Sequence, residues 1–280
     1  MRKSIPAVPA ALLSMICVQG GASIAKQLFP VLGASGTTTL RIGISAIILF
    51  FINRPNLTEF SRKQWLYCLG YGLCIAGMNF IFYLAIARIP LGLGVTVEFI
   101  GPLSLAFLFS RRPTDIIWAL FAGVGILLIV PWQSSNVDSI GLLFALLAGA
   151  FWAGYIIVGG KISQVMRNRD AVSVGMIIAA IIILPFGISG GGLVALTPKY
   201  FLWAIGVAIF SSALPFTLDM IALNKLPSKT FSILTSLNPA FAALAGLIFL
   251  KEYLTLVQCL SIACVIIASV GTTMTNKSNN

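Results

Sequence analysis

The sequence predicts an all-α polytopic membrane protein, with ten transmembrane helices arranged as two inverted five-helix repeats. Three observations point there. Ten apolar stretches, each long enough to cross a bilayer, fill almost all of the 280 residues. The composition is 59% hydrophobic and 9% charged, against roughly 25% charged in a soluble domain. Strict apolar/polar alternation is absent, which disfavours an outer-membrane barrel.

A spanning helix needs about 20 mostly apolar residues. The first run begins near Ile5. Its apolar part is too long for a signal peptide and Lys26 sits where a cleavage site would be expected, so it reads as a retained helix. The second begins near Ala34 and carries Thr37, Arg41 and Ser45 at i, i+4 and i+8, a polar stripe down one face. The third, from Gln64, has a small-and-polar face of Gly72, Ala76, Asn79 and Tyr83. The fourth, from Leu91, lines up Gly94, Glu98 and Pro102, with Gly101 beside them. Pro102 cannot donate to the carbonyl of Glu98 four residues earlier, and a freed carbonyl next to a carboxylate suits an ammonium group. The fifth run starts near Asp115. The sixth, from Ser139, offers Trp152 and Tyr155 as cavity walls, and the seventh starts near Ala171. The eighth, from Phe201, carries Ser212, Pro215 and Asp219; the ninth, from Phe231, carries Ser232, Thr235 and Asn238; the tenth starts near Thr255. Each such stripe is equally what helix packing through small residues produces.

Cytoplasmic loops carry an excess of Lys and Arg. With the N-terminus inside, the inner segments hold thirteen of them, from Arg2 and Lys3 to Lys277, and the outer loops hold only Arg88, Lys199 and Lys251. Both termini are therefore expected in the cytoplasm. The net charge of +11 follows from this topology and from attraction to anionic membrane lipid; no basic soluble domain exists to bind nucleic acid.

Cys17, Cys68, Cys74, Cys259 and Cys264 all fall in spans without metal-ligand spacing. The chain has no histidine, which excludes a His-ligated zinc site, a Ser-His-Asp hydrolase and a histidine proton relay. Gly159, Gly160 and Lys161 hint at a phosphate loop, but Tyr155 and Ile162 break its pattern. No metal or cofactor is expected. Transport would have to be driven by a gradient or by a partner protein, and a proton-coupled cycle would have to use a carboxylate within the membrane.

The chain also echoes itself. Ala85, Arg88, Pro90 and Gly101-Pro102 correspond at one offset to Ala222, Lys225, Pro227 and Asn238-Pro239. Two units follow, residues 1–131 and 139–280, joined by a periplasmic connection at 132–138. Five helices per unit is odd, so the second unit enters from the opposite side, as in many secondary transporters whose site lies at the interface of the halves.

The stretches 19–30 (QGGASIAKQLFP), 82–115 and 213–255 resemble the EamA family of the drug/metabolite transporter superfamily, most of all its members that export threonine and homoserine. The resemblance runs from the first helix to the tenth. It implies ten helices in two repeats, cytoplasmic termini, a bacterial inner-membrane location and efflux of small amino acids or related metabolites. Two positions depart from the family's pattern. An acidic-Pro pair reads Asn238-Pro239 here, and a Gly-Glu pair reads Lys251-Glu252.

Ionisable residues inside spans are the strongest functional candidates, because a charge in hydrocarbon costs several kcal/mol unless it is paired or wet. Lys26 and Asp219 lie about a turn from helix ends, where a side chain can reach the interface. Arg41 and Glu98 each sit about seven residues in, roughly 10 Å at 1.5 Å per residue. They form either a structural salt bridge or the two ends of a zwitterion site. The expected function is secondary export of small neutral amino acids, with a broader drug or cationic-metabolite exporter as the alternative. No loop carries an enzyme's paired carboxylates or nucleophile. Candidate substrate contacts are Arg41, Asn79, Tyr83, Glu98, Trp152, Tyr155 and Asn238, and the proton-coupling candidates are Glu98 and Asp219.

Overall fold

The structure is a computed structural model and describes residues 6–108, 138–227, 230–231, 234–253 and 255–277, with a few isolated positions between 117 and 128. Its described residues form helices: α1 (Ala7–Lys26), α2 (Phe29–Asn53), α3 (Arg62–Ile86), α4 (Leu91–Glu98), α5 (Ile100–Leu108), α6 (Ser139–Val165), α7 (Asn168–Ser189), α8 (Pro198–Lys225), α9 (Asn238–Leu250) and α10 (Leu256–Lys277). Six of them, α1, α2, α3, α6, α7 and α8, are long and apolar enough to cross a membrane. They match six of the ten expected spans. The fourth, ninth and tenth spans correspond to shorter or interrupted apolar helices, and the fifth span and nearly all of the 132–138 connection lie outside the described residues.

Local chemistry fixes where the helices begin. Ser61 Oγ accepts from the Gln64 backbone N–H at 3.3 Å and Gln64 Oε1 accepts from the Ser61 N–H at 2.9 Å, a capping box that starts α3 two residues before Gln64. Pro198 occupies the first turn of α8 behind the cap residue Thr197. Asp138 caps α6, accepting from the N–H groups of Ile140 and Gly141, and its other oxygen accepts from Arg88 at 2.6 Å. That bond to Arg88, helped by the two backbone donors, holds its carboxyl below the usual range. In α2 Gly33 (φ 67°) is non-helical and kinks the chain, so a short helical segment from Phe29 precedes the main run, which begins at the expected Ala34.

Hydrogen bonds between helix ends define two ends of the bundle. Asn53 donates to Ser173 Oγ (2.8 Å), Gln64 to the carbonyl of Val165 (2.8 Å) and Asn224 to that of Ser163 (2.7 Å), gathering the ends that carry Arg54, Arg62, Lys161, Arg169 and Lys225. At the other end Arg88 meets Asp138 and Lys26 meets Glu252. The first helix, α1, runs from the basic end to the other, whereas α6 runs the opposite way.

α6 packs on α3, α4 and α5, α7 on α2 and α3, and α1 on α8 and α9, while α4 also touches α9. The crossing of α5 and α6 depends on glycine, because a Cβ on Gly101 would lie 1.8 Å from the carbonyl oxygen of Gly149. Proline interrupts three helices. α4 stops at Glu98, four residues before Pro102; α8 contains a π-helical turn, Ile209–Ala213, with Pro215 just beyond; and a 3₁₀ turn, Thr235–Leu237, precedes α9 and Pro239. Each proline removes the helical donor to the carbonyl four residues back: that of Glu98, Ser211 and Thr235 respectively.

Candidate functional site

Those three residues all line one cavity, of about 70 Å³, enclosed by α1, α2, α3, α4, α6, α8 and the start of α9. Arg41 projects into it from the middle of α2 and is 2% exposed. Its Nη1 donates to Ser211 Oγ at 2.8 Å and to the Ser211 carbonyl at 3.2 Å, and its Nη2 donates to Asn79 Oδ1. The guanidinium carbon lies 4.4 Å from the centre of the Tyr83 ring, a cation–π contact. The Ser211 carbonyl is available because Pro215 cannot use it. Ser45 braces the same region, donating to the carbonyls of Arg41 (2.6 Å) and Ala208 (2.8 Å).

Arg41 keeps its Nε–H without a partner. Glu98 faces the same cavity and is 7% exposed. No ion pair joins the two; among the described residues the ion pairs are Lys26–Glu252, Arg88–Asp138 and those of Asp170 with Arg167 and Arg169. The direct salt bridge allowed by the sequence is therefore not formed in this conformation, because α3 and α8 supply the guanidinium with neutral acceptors instead.

Of the other candidates, Asn79, Tyr83, Trp152, Asn238 and Asp219 line the cavity. Tyr155 does not. It is fully buried behind the wall, stacked on Tyr71 with ring centres 5.2 Å apart, and its hydroxyl donates to Asp219 Oδ2 at 3.3 Å. Along α8 it is Ser211, not Ser212, that joins Pro215 and Asp219 on the lining, because the wider π turn shifts the register that plain helical spacing assumes. Gly72, in the expected polar face of α3, packs instead on Ile178 of α7.

Two features escape the sequence reading. Gln19, 4% exposed in α1, lines the cavity, and its Nε2 donates to Asn238 Oδ1 at 2.8 Å; an amide in an otherwise apolar span was the available signal. Lys26 is also more than a side chain reaching for an interface. Its Nζ donates to Glu252 Oε1 (2.7 Å) and to the Ile89 carbonyl (3.1 Å), while Glu252 Oε2 accepts from the Leu91 N–H (2.9 Å). These bonds tie α1, α4 and the end of α9 together about one turn beyond Ala22, the last α1 residue on the lining.

Residues 139–274 match the EamA-like transporter family. The chain is 43% identical over 266 residues to the threonine/homoserine exporter RhtA of Salmonella typhimurium, covering 94% of this chain and 90% of that protein. It is 42% identical over 271 residues to the exporter of the same name from Escherichia coli K12, covering 96% and 92%. An uncharacterized transporter of Bacillus subtilis, YwfM, is 28% identical over 243 residues, 82% of this chain and 80% of that one. A solved crystal structure superposes with a TM-score of 0.70 over 98% of this chain and all of the other, at 14% identity; that likeness concerns the fold alone.

Proposed function

The chain belongs to the EamA-like transporter family, and from that premise we propose that it exports threonine, homoserine and similar small neutral amino acids across a bacterial inner membrane, driven by the proton gradient. One observation carries the reading: a guanidinium and a carboxylate, not paired with each other, face the same small buried cavity. A free amino acid bears the complementary charges, its carboxylate for Arg41 and its ammonium for Glu98. The likeness to exporters named for threonine and homoserine supports that substrate class. A cavity of about 70 Å³ also falls far below the roughly 300–1,000 Å³ of sites for drug-sized ligands.

Arg41 would clamp the carboxylate, leaving Glu98 to exchange a proton for the ammonium, with Asp219 as the weaker candidate for that role. With the basic end of the bundle in the cytoplasm, the Lys26–Glu252 bonds close the periplasmic end. Breaking them while the opposite end seals would give alternating access. A second reading comes from the charge count on the lining, where Glu98 and Asp219 face a single Arg41. That surplus suits a cationic metabolite, unless one carboxylate carries the transported proton.

The test is uptake of labelled threonine and homoserine into inside-out vesicles, with and without an inward-acid gradient, for the parent and Glu98→Gln. Saturable, gradient-stimulated accumulation by the parent that Glu98→Gln loses is expected. Accumulation of organic cations but of no amino acid would establish the second reading. Undiminished coupling in Glu98→Gln would remove Glu98 as the proton carrier.

A further inference from the structure

We infer that the amide pair Gln19–Asn238 reads the substrate's side chain and selects amino acids that bear a hydroxyl. This rests on the proposal that Arg41 and Glu98 hold the charged ends, since it concerns what remains of the same cavity. Gln19 and Asn238 come from α1 and α9, are each 4% exposed, and both line the cavity. Their mutual bond uses one donor of Gln19 and the oxygen of Asn238. Gln19 Oε1 is left buried with no partner, and the bond between the two leaves the amide nitrogen of Asn238 unused. The pair thus offers the cavity one acceptor and one donor, an outcome that holds even with both amides turned over, because an amide–amide bond always leaves one of each.

Among the groups a small amino acid can present, a hydroxyl matches both, since it donates and accepts at one oxygen. An ammonium answers only the acceptor. A methyl answers neither and leaves a buried acceptor stripped of water, a penalty set by desolvation rather than by shape. The pair therefore separates isosteres. Threonine differs from valine, and homoserine from norvaline, by a hydroxyl in place of a methyl at nearly constant size. Packing alone distinguishes such isosteres poorly, whereas a site that must hydrogen-bond the hydroxyl distinguishes them strongly. Gln19 also sits where it can act. Gly21, two residues on, abuts the π turn that holds Ser211 against Arg41, and a Cβ there would come within 2.4 Å of the Ser211 Cβ. That contact holds α1 against the turn, while Gln19, on a different face of α1, shares the cavity lining with Arg41 and Ser211.

The experiment measures affinities of purified full-length protein in lipid nanodiscs for the two isosteric pairs, in the parent and in Gln19→Met, a side chain of the same length without the amide. The parent should prefer threonine over valine and homoserine over norvaline by at least about tenfold, and in Gln19→Met both ratios should fall to near one. Equal affinities within each pair in the parent would overturn the hydroxyl reading while leaving the zwitterion site standing, and that comparison needs no variant. Parent-like ratios in a monodisperse Gln19→Met would overturn the assignment to this pair. Failure of the parent to bind any of the four amino acids would overturn the zwitterion site itself, and this inference with it.

Discussion

Arg41 is held by neutral partners on three sides: Ser211 on α8, Asn79 on α3 and the face of Tyr83. A buried charge without a counter-ion is tolerable when hydrogen bonds replace its hydration shell, and here the π turn and Pro215 supply a carbonyl that an unbroken helix would have used. Lysine cannot reproduce this arrangement, having one compact donor group in place of a planar fork. Arg41→Lys should therefore insert and fold but lose about tenfold or more in amino-acid affinity, at roughly 1.5–3 kcal/mol for a hydrogen bond to a charged group. Because Arg41 and Glu98 are not ion-paired, the double variant Arg41→Gln/Glu98→Gln should be no more stable in detergent than the less stable single variant. A double variant that regains stability and binds amino acids like the parent would mark the pair as a brace.

At the level of elements, the broken helices rather than the intact ones make the site. α4 ends at Glu98, α8 widens at Ile209–Ala213 and α9 starts at Asn238-Pro239; each break lies beside a polar residue of the lining, and the one in α8 also turns a carbonyl, that of Ser211, to Arg41. The Lys26–Glu252 contact is the counterpart at the bundle's less basic end, where both side chains are 20% exposed and the ion pair is reinforced by the Ile89 carbonyl and the Leu91 N–H. Replacing Glu252 by Gln keeps a group that can meet the Leu91 N–H but removes the attraction for Lys26. In a cysteine-free background with a single cysteine at Ala22, Glu252→Gln should raise the rate of labelling by an impermeant thiol reagent in whole cells. An unchanged rate would show that the contact does not close that end.

For the whole molecule, the ends of the helices sort by charge. Segments carrying Arg54, Arg62, Lys161, Arg169 and Lys225 meet at one end through hydrogen bonds that the loops themselves do not require. By the positive-inside rule we propose that this end faces the cytoplasm. Single cysteines at positions 132–138 should react with an impermeant thiol reagent in intact cells, and those at 161–170 only after permeabilisation; the reverse pattern would overturn the orientation. A solved structure only 14% identical superposes over nearly the whole chain, as expected if this end-to-end organisation depends on hydropathy and small-residue packing more than on particular side chains.

By itself the sequence determined the membrane class and the family, and six of its ten expected spans recur as helices long and apolar enough to cross a membrane, because hydropathy and helical spacing are local properties that need no partner to be read. It also marked the break after Glu98, since a proline's missing N–H acts on a carbonyl four residues away in the same helix. What only the tertiary structure decided were the pairings. Arg41 meets Ser211 and Asn79 rather than Glu98, Tyr155 backs Asp219 from behind the wall, Lys26 reaches Glu252, and Gln19 joins Asn238 across 219 residues. Such contacts depend on which helices are neighbours and on how a π turn rotates one face against another. The spacing of residues along one helix carries no record of either.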